Sequence, residues 1–254
     1  MIDIQKAKQE LKKYVNNYDI EDPKIKLKIA HIERTAKIAK GIAENLKLDA
    51  NDIQLAELIG LLHDIGRFEQ IKRYHTFIDK NSVNHGELGV QILFEEGLIK
   101  NFIEDRQYDE IIKKSILNHN RNKRNLEFSN GKEELHSKII RDADKTDILY
   151  TMTFEEKEEV WEKADFSKEK ITDEVYREFI ENRVIDYSKR KTAVDRLVSH
   201  FAFVYDFNYS YGLKIIKEKG YYDTIYQRFQ FENKETADKI NHIYQLVKEY
   251  LENI

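Results

Sequence analysis

The chain has 254 residues, 41% apolar and 35% charged, with a net charge of −4 and acids and bases interleaved along its length. That length can bury a sizeable core, as one large domain or two small ones. Cysteine is absent, which excludes disulfides, zinc ribbons, iron–sulfur clusters and thiol nucleophiles, so any metal must be held by His, Asp, Glu or water. No basic tail or stripe exists to displace counterions, so polymeric nucleic acid is not an expected partner. The opening MIDIQKAKQELKKYV lacks an apolar signal-peptide core, and no stretch approaches a membrane span. The expectation is a cytoplasmic protein with no membrane partner.

One proline, nine glycines and little strict alternation predict an all-α chain of helices joined by short loops. Residues 3–17 read as a short polar helix. A second helix follows with Asp22 placed to cap and Pro23 at its first position. In it Ile25, Ile29, Ile32, Ala36, Ala39, Ala43 and Leu46 recur at helical spacing, with His31 beside the stripe. A third helix starts near residues 49–52 and carries Leu55, Leu58, Ile59, Leu61 and Leu62 up to His63 and Asp64, where Gly66 marks its end. RYHTFIDKNSVN, residues 73–84, reads as a solvated loop that could also cover a site, and HGELGVQILFEEGL as a helix. YDEIIKKSILNHN places Ile111, Ile112, Ser115 and Ile116 on one helical face before His119. The polar loop RNKRNLEFSNGK leads into a helix over EELHSKIIRDADKTDILYTM, which carries Asp142, Asp144 and Asp147.

Beyond about residue 150 the chain stays helix-rich and becomes aromatic. Residues 201–211 read as the core of the C-terminal helices, with a homodimer surface as a further expectation there, while EEKEEVWEK and KRKTAVDR read as solvated helix faces. With no internal repeat and no linker, a single all-helical domain is expected over 1–254, a core at about 25–150 and an extension at about 151–254 packed on it.

A carboxylate at the end of the apolar run of the third helix needs compensation, because burying an unpaired ion costs several kcal/mol. Either Asp64 sits at a helix end in water or it holds a cation. A His-Asp pair alone is weak evidence. However, His31, His63, His85 and His119 all fall at or near the ends of apolar helical segments, as do the three Asp at 142, 144 and 147. Helix ends converging on one cavity are where bundles build metal sites. Imidazole and carboxylate together suit Mn, Fe, Co, Ni or Zn, and Asp64, with two oxygens, can bridge two ions. His85 and His119 fit either a second ion or a role in orienting substrate or donating a proton. Arg34 shares the helix face of His31, as a carboxylate partner or a substrate contact. Asp142 and Asp147 read as supporting or surface residues, and His75, His136, His200 and His242 as surface.

The stretches HIERTAKIA, LLHDIGR, NHGELGVQIL, ILNHN and IIRDADKTDIL, in that order over roughly residues 25–150, resemble the HD-domain superfamily of metal-dependent phosphohydrolases. The resemblance implies a helical bundle of the HD-domain type, here with a helical C-terminal extension. It implies a divalent transition metal as one or two ions, the first on His31, His63, Asp64 and Asp144, the second adding His85 and His119. The implied reaction is hydrolysis of a phosphate ester of a small molecule, a nucleotide by preference, by metal-activated water at Asp64, with Arg67 or Lys145 neutralising the phosphate. The chain departs from the cyclic-dinucleotide branch, having Asn118-His119 in place of a double His and no Gly-Tyr-Pro stretch, and from the nucleotidase branch, having Arg67 where a Glu is common. Two alternatives stay open: a di-iron oxygenase of the same fold, and a non-catalytic metal-containing binding module.

Overall fold

Side-chain caps set where the first helices begin. In the computed structural model, which describes residues 2–156, 161 and 166–254, α1 (Ile4–Val15) starts at Asp3, whose carboxylate accepts from the Lys6 N–H. The α2 helix (Pro23–Asn45) is capped by Asp22 and has Pro23 at its first position, and α3 (Ala50–Leu62) is capped by Asp49, which accepts from the Asn51 and Asp52 N–H groups. Each cap satisfies donors that would otherwise lack a partner.

After α3 the chain turns through residues 63–65 and enters α4 (Gly66–Tyr74). Gly66 therefore opens a helix that the sequence reading had not placed, instead of closing α3. Its lack of a side chain serves a close approach: a Cβ there would stand 2.3 Å from the His85 carbonyl oxygen and 2.7 Å from the Gly89 nitrogen. The loop begins at His75, a left-handed C-cap with φ 55°, and contains a 3₁₀ turn at Asp79–Asn81. Next, α5 (His85–Val90), capped by Asn84, runs on into a wider turn at Gln91–Glu95, in which the Glu96 N–H reaches back five residues to the Gln91 carbonyl. Then come α6 (Ile99–Phe102), α7 (Asp109–His119) and α8 (Gly131–Phe154).

The remaining helices are α9 (Asp173–Ile180), α10 (Ala193–Phe201), α11 (Ser210–Lys219), α12 (Tyr221–Arg228) and α13 (Lys234–Glu252). The fold is all-α, with no strand among the described residues. Among those residues no helix is long and apolar enough to cross a membrane.

The chain forms two compact units, Met1–Arg121 with Asn125–Asp147, and Asn122–Arg124 with Ile148–Ile254. The first is centred on α3, buried at every position from Leu55 to Leu62. Along that stretch the one charged side chain, Glu57, is paired with Lys8 at 2.6 Å, and the C-terminal end of the helix presents His63 and Asp64. Gly60 lets α2 lie directly on α3, since a Cβ there would be 2.5 Å from the Ala36 Cα. That contact brings His31 and His63 within reach of each other.

The second unit has its own core, including Phe179, Val194, Leu197, Phe201 and Ile243. Phe201 and Phe203 are buried in it, as the aromatic stretch led us to expect. Two expectations are corrected here. His200 is only partly exposed, edge-on to Trp161 and Phe203 at ring distances of 5.2 and 5.1 Å. The run at 189–196 is not a solvated face throughout: Thr192 and Asp195 form a capping box that starts α10 and buries Ala193, Val194 and Asp195. The helix face expected at 155–163 lies largely outside the described residues.

Candidate metal centre

Six side chains from five segments of the first unit meet at one point: His31 from α2, His63 and Asp64 from the end of α3, His85 from the start of α5, His119 from the end of α7 and Asp144 from α8. All six are buried, at 9% exposure or less. The structure thus brings together every residue that the sequence reading named as a ligand. Around Asp64 Oδ2 stand His31 Nε2 at 3.4 Å and His63 Nε2 at 3.8 Å. Asp144 Oδ1 lies 3.1 Å from His31 Nε2 and 3.6 Å from His63 Nε2. On the other side, Asp64 Oδ1 faces His85 Nε2 at 3.4 Å and His119 Nε2 at 3.6 Å. The two donor clusters, His31–His63–Asp64 and Asp64–His85–His119, share the aspartate and use its two oxygens separately.

The donor chemistry tests whether an ion fits. His63 Nδ1 lies 2.8 Å from the Gly60 carbonyl and His119 Nδ1 2.5 Å from the Ile116 carbonyl. A carbonyl only accepts, so each Nδ1 carries the proton and each Nε2 turns its lone pair inward. His31 Nδ1 donates likewise to Asp147 Oδ2 at 2.7 Å, and His85 Nδ1 to Asp79 Oδ2 at 2.7 Å. Lone pairs are then left face to face, His31 Nε2 and His63 Nε2 at 3.3 Å and His85 Nε2 and His119 Nε2 at 2.9 Å. Two acceptors at such distances repel unless a cation lies between them. Ligands each about 2.1 Å from a common ion stand roughly 3.0–3.6 Å apart. The donor atoms here lie 2.9–3.8 Å from one another, close enough to that spacing for one divalent ion in each cluster.

Charge balance points the same way. Burial opposes charge on Asp64, but the Lys28 ammonium and the surrounding imidazoles outweigh it and hold the carboxyl well below the usual range. Asp144 is held down similarly, by His31 and His63 against its burial. Burial pushes the His63 ring down and, with Arg67 adding, takes His85 to about 3, so both stay neutral ligands. For His31, burial and Lys28 are overcome by Asp144, Asp147 and Asp64, which raise it to about 10. These carboxylates favour positive charge at His31, and an ion bound at its Nε2 would supply that charge with release of the ring's second proton.

Residues around the centre divide by what they touch. Lys28, which the sequence reading passed over, donates to Asp64 Oδ2 at 2.7 Å and lies 5.2 Å from the centroid of the Phe77 ring. Its position three residues before His31, on the same helix face, was the available signal. Arg34 grips Asp147 through Nε at 2.6 Å and NH2 at 3.1 Å, making a carboxylate partner of it and fixing the aspartate that orients His31. Arg67 Nε is buried without a hydrogen-bond partner, 3.6 Å from Asp64 Oδ1, while its NH1 binds Gln70, the Phe77 carbonyl and Asp79. Lys145 is buried, with Nζ 3.4 Å from the Arg141 carbonyl. Arg141, itself enclosed, holds the Asn118 and Arg121 carbonyls at 2.8 and 2.6 Å and so closes the end of α7 behind His119. His136 is not a surface residue: it is 1% exposed, with Nε2 3.1 Å from Asp52 Oδ1, a partner 84 residues away. His75 and His242 are exposed, as expected.

Comparison with known proteins agrees with this geometry. Residues 29–149 match the family model of the HD domain, a segment that contains all six donors. No curated protein and no solved structure matches the chain. HD domains are all-α and bind divalent metals, and they define a superfamily of metal-dependent phosphohydrolases. The order of the motifs, the inward-facing donor set and the family match agree: residues 29–149 of this chain are an HD domain.

Proposed function

We propose that the chain hydrolyses a phosphate ester of a small molecule, with nucleotides the first class to test, at a centre of two divalent ions. The observation that carries this reading is Asp64, whose two oxygens each face a separate pair of imidazole nitrogens. When bound, ions at such a centre supply a nucleophilic water at neutral pH and polarise the phosphoryl group. His31, His63, Asp64 and Asp144 would hold the first ion, and Asp64, His85 and His119 the second. The protein's own part is to orient the ester and to balance charge. Lys28 stands at the rim beside Asp64, and the unpartnered Arg67 Nε–H is aimed at the same carboxylate. Both suit the non-bridging oxygens of a phosphoryl group, whose charge must be met in phosphoryl transfer. Lys145, next to Asp144, is the third cation we assign to that task.

The test is phosphate release from a panel of nucleotides and simple phosphoesters with Mn, Co, Ni, Fe or Mg, beside Asp64→Ala. Hydrolysis that needs one of these metals and falls to background in the variant is the expected result. Silence from protein shown to carry its ions would overturn the reading. Two irons per chain with a visible absorption band would then direct attention to the oxygenase alternative.

A further inference from the structure

The ring nitrogens that face away from the centre are held in different ways. His63 and His119 donate to carbonyls of their own helices, and His31 to Asp147 on α8. His85 instead donates to a residue on a loop, Asp79, with Oδ2 at 2.7 Å and Oδ1 at 3.0 Å. Asp79 is placed by α4: its Oδ1 accepts from Arg67 NH1 and from Gln70 Nε2, each at 2.9 Å. The same two side chains fasten the rest of the loop. Arg67 NH1 donates to the Phe77 carbonyl at 2.7 Å, and Gln70 Nε2 to Ser82 Oγ at 2.9 Å and the Val83 carbonyl at 3.0 Å. Gln70 is fully buried. Residues 75–84 are thus wrapped around one amide and one guanidinium, and that wrapping delivers a single carboxylate to His85. The Asp79 side chain is nonetheless 33% exposed, against 1% for Asp147.

We propose that Asp79 is a positioning residue that sets the affinity of the second ion subsite, and that the loop at 75–84 makes this ion conditional on its own folding while the first subsite stands without it. This rests on the two-ion reading above. A carboxylate behind an imidazole fixes its tautomer, its ring orientation and its basicity toward a metal. Without Asp79 the outer nitrogen of His85 faces only the Asn120 amide, with Nδ2 3.3 Å away, a donor that favours the tautomer with the proton on Nε2, pointing at the ion. His31 and His63 keep their own partners and are unaffected. The two subsites therefore differ in preorganisation even though they share Asp64.

The experiment is a titration of ion-free protein with Mn²⁺ by calorimetry, repeated with Co²⁺ and followed by visible absorption. It compares the wild type with Asp79→Asn, Asp79→Ala and Ser82→Ala, with circular dichroism of each ion-free protein as the check on folding. The wild type should take up two ions in two steps. Asp79→Ala should leave the first step in place and weaken the second about 10–100-fold. Asp79→Asn, which retains an acceptor but no charge, should fall between. Ser82→Ala loosens the loop yet keeps the Asp79–His85 pair, so it should move the second step less than Asp79→Asn does. Two ions in the wild type with both steps unmoved in Asp79→Ala, or both weakened alike, would overturn the proposal alone. A wild type that takes up one ion overturns the two-ion reading and this proposal with it.

Discussion

Asp147 accepts from both His31 and Arg34, so a residue that never faces the ion determines which nitrogen of His31 does. Pairings of this kind span 116 and 113 positions and leave no mark in local sequence. That is why His63, Asp64 and His119, at the ends of apolar helical runs, were legible, while Asp79, Gln70 and the burial of His136 were not. His31 and Asp144 lie within α2 and α8 and not at their ends as expected, and were legible through the order of the motifs. Lys28 is intermediate, since its spacing from His31 was visible but its partner Asp64 was not. Partial burial also makes His200 a source of pH dependence. Burial, with Arg190 and Arg196 adding, pushes its ring down to about 3, whereas in the unfolded chain it titrates near its ordinary value of about 6.5. The folded form then stays neutral where the unfolded form gains a proton. Stability is whole above pH 6.5 and is lost as pH falls toward 3, on the order of 1–2 kcal/mol of it by pH 5. Urea unfolding followed by Trp161 fluorescence at pH 8 and pH 5 should show this loss, and His200→Gln should reduce the difference between the two. An equal pH dependence in the variant would mean that the ring is solvated.

Helix starts were the most legible elements, because Asp22-Pro23 and Asp49 carry their chemistry locally. The α4 helix was hidden because its first residue, Gly66, reads as a stop. Its glycine answers to the His85 and Gly89 backbone, a constraint that exists only after folding. Gly60 shows what such close approaches contribute to the centre. A methyl group there would press on the Ala36 backbone, 2.5 Å from Cα, and force α2 from α3. We expect Gly60→Ala to cost about 1–3 kcal/mol of stability and to weaken the first ion, because His31 and His63 would move apart. Calorimetric melting and Mn²⁺ titration together would check this. Lost stability with unchanged ion affinity would show that the helices recover their spacing near the site.

At the scale of the whole chain, the six donors lie in the first unit and the single tryptophan, Trp161, in the second. Ions that bind only the folded form stabilise it by about 2.7 kcal/mol at a hundredfold excess over Kd. Chelation should therefore lower the melting temperature followed by far-ultraviolet circular dichroism, and shift the Trp161 fluorescence transition less. Equal shifts would mean that the two units unfold as one. The wide turn at Gln91–Glu95 bears on a different property, how the chain's length can vary. Within an ordinary α-helix, deleting one residue rotates everything beyond it by about 100° relative to what precedes and scrambles which side chains face inward. A turn that already closes over five residues holds one more than an α-turn needs. Removing it there would restore regular winding while His85 and its neighbours keep their bearing, so this is a point in the first unit where a shorter relative could differ in length and still assemble the same centre.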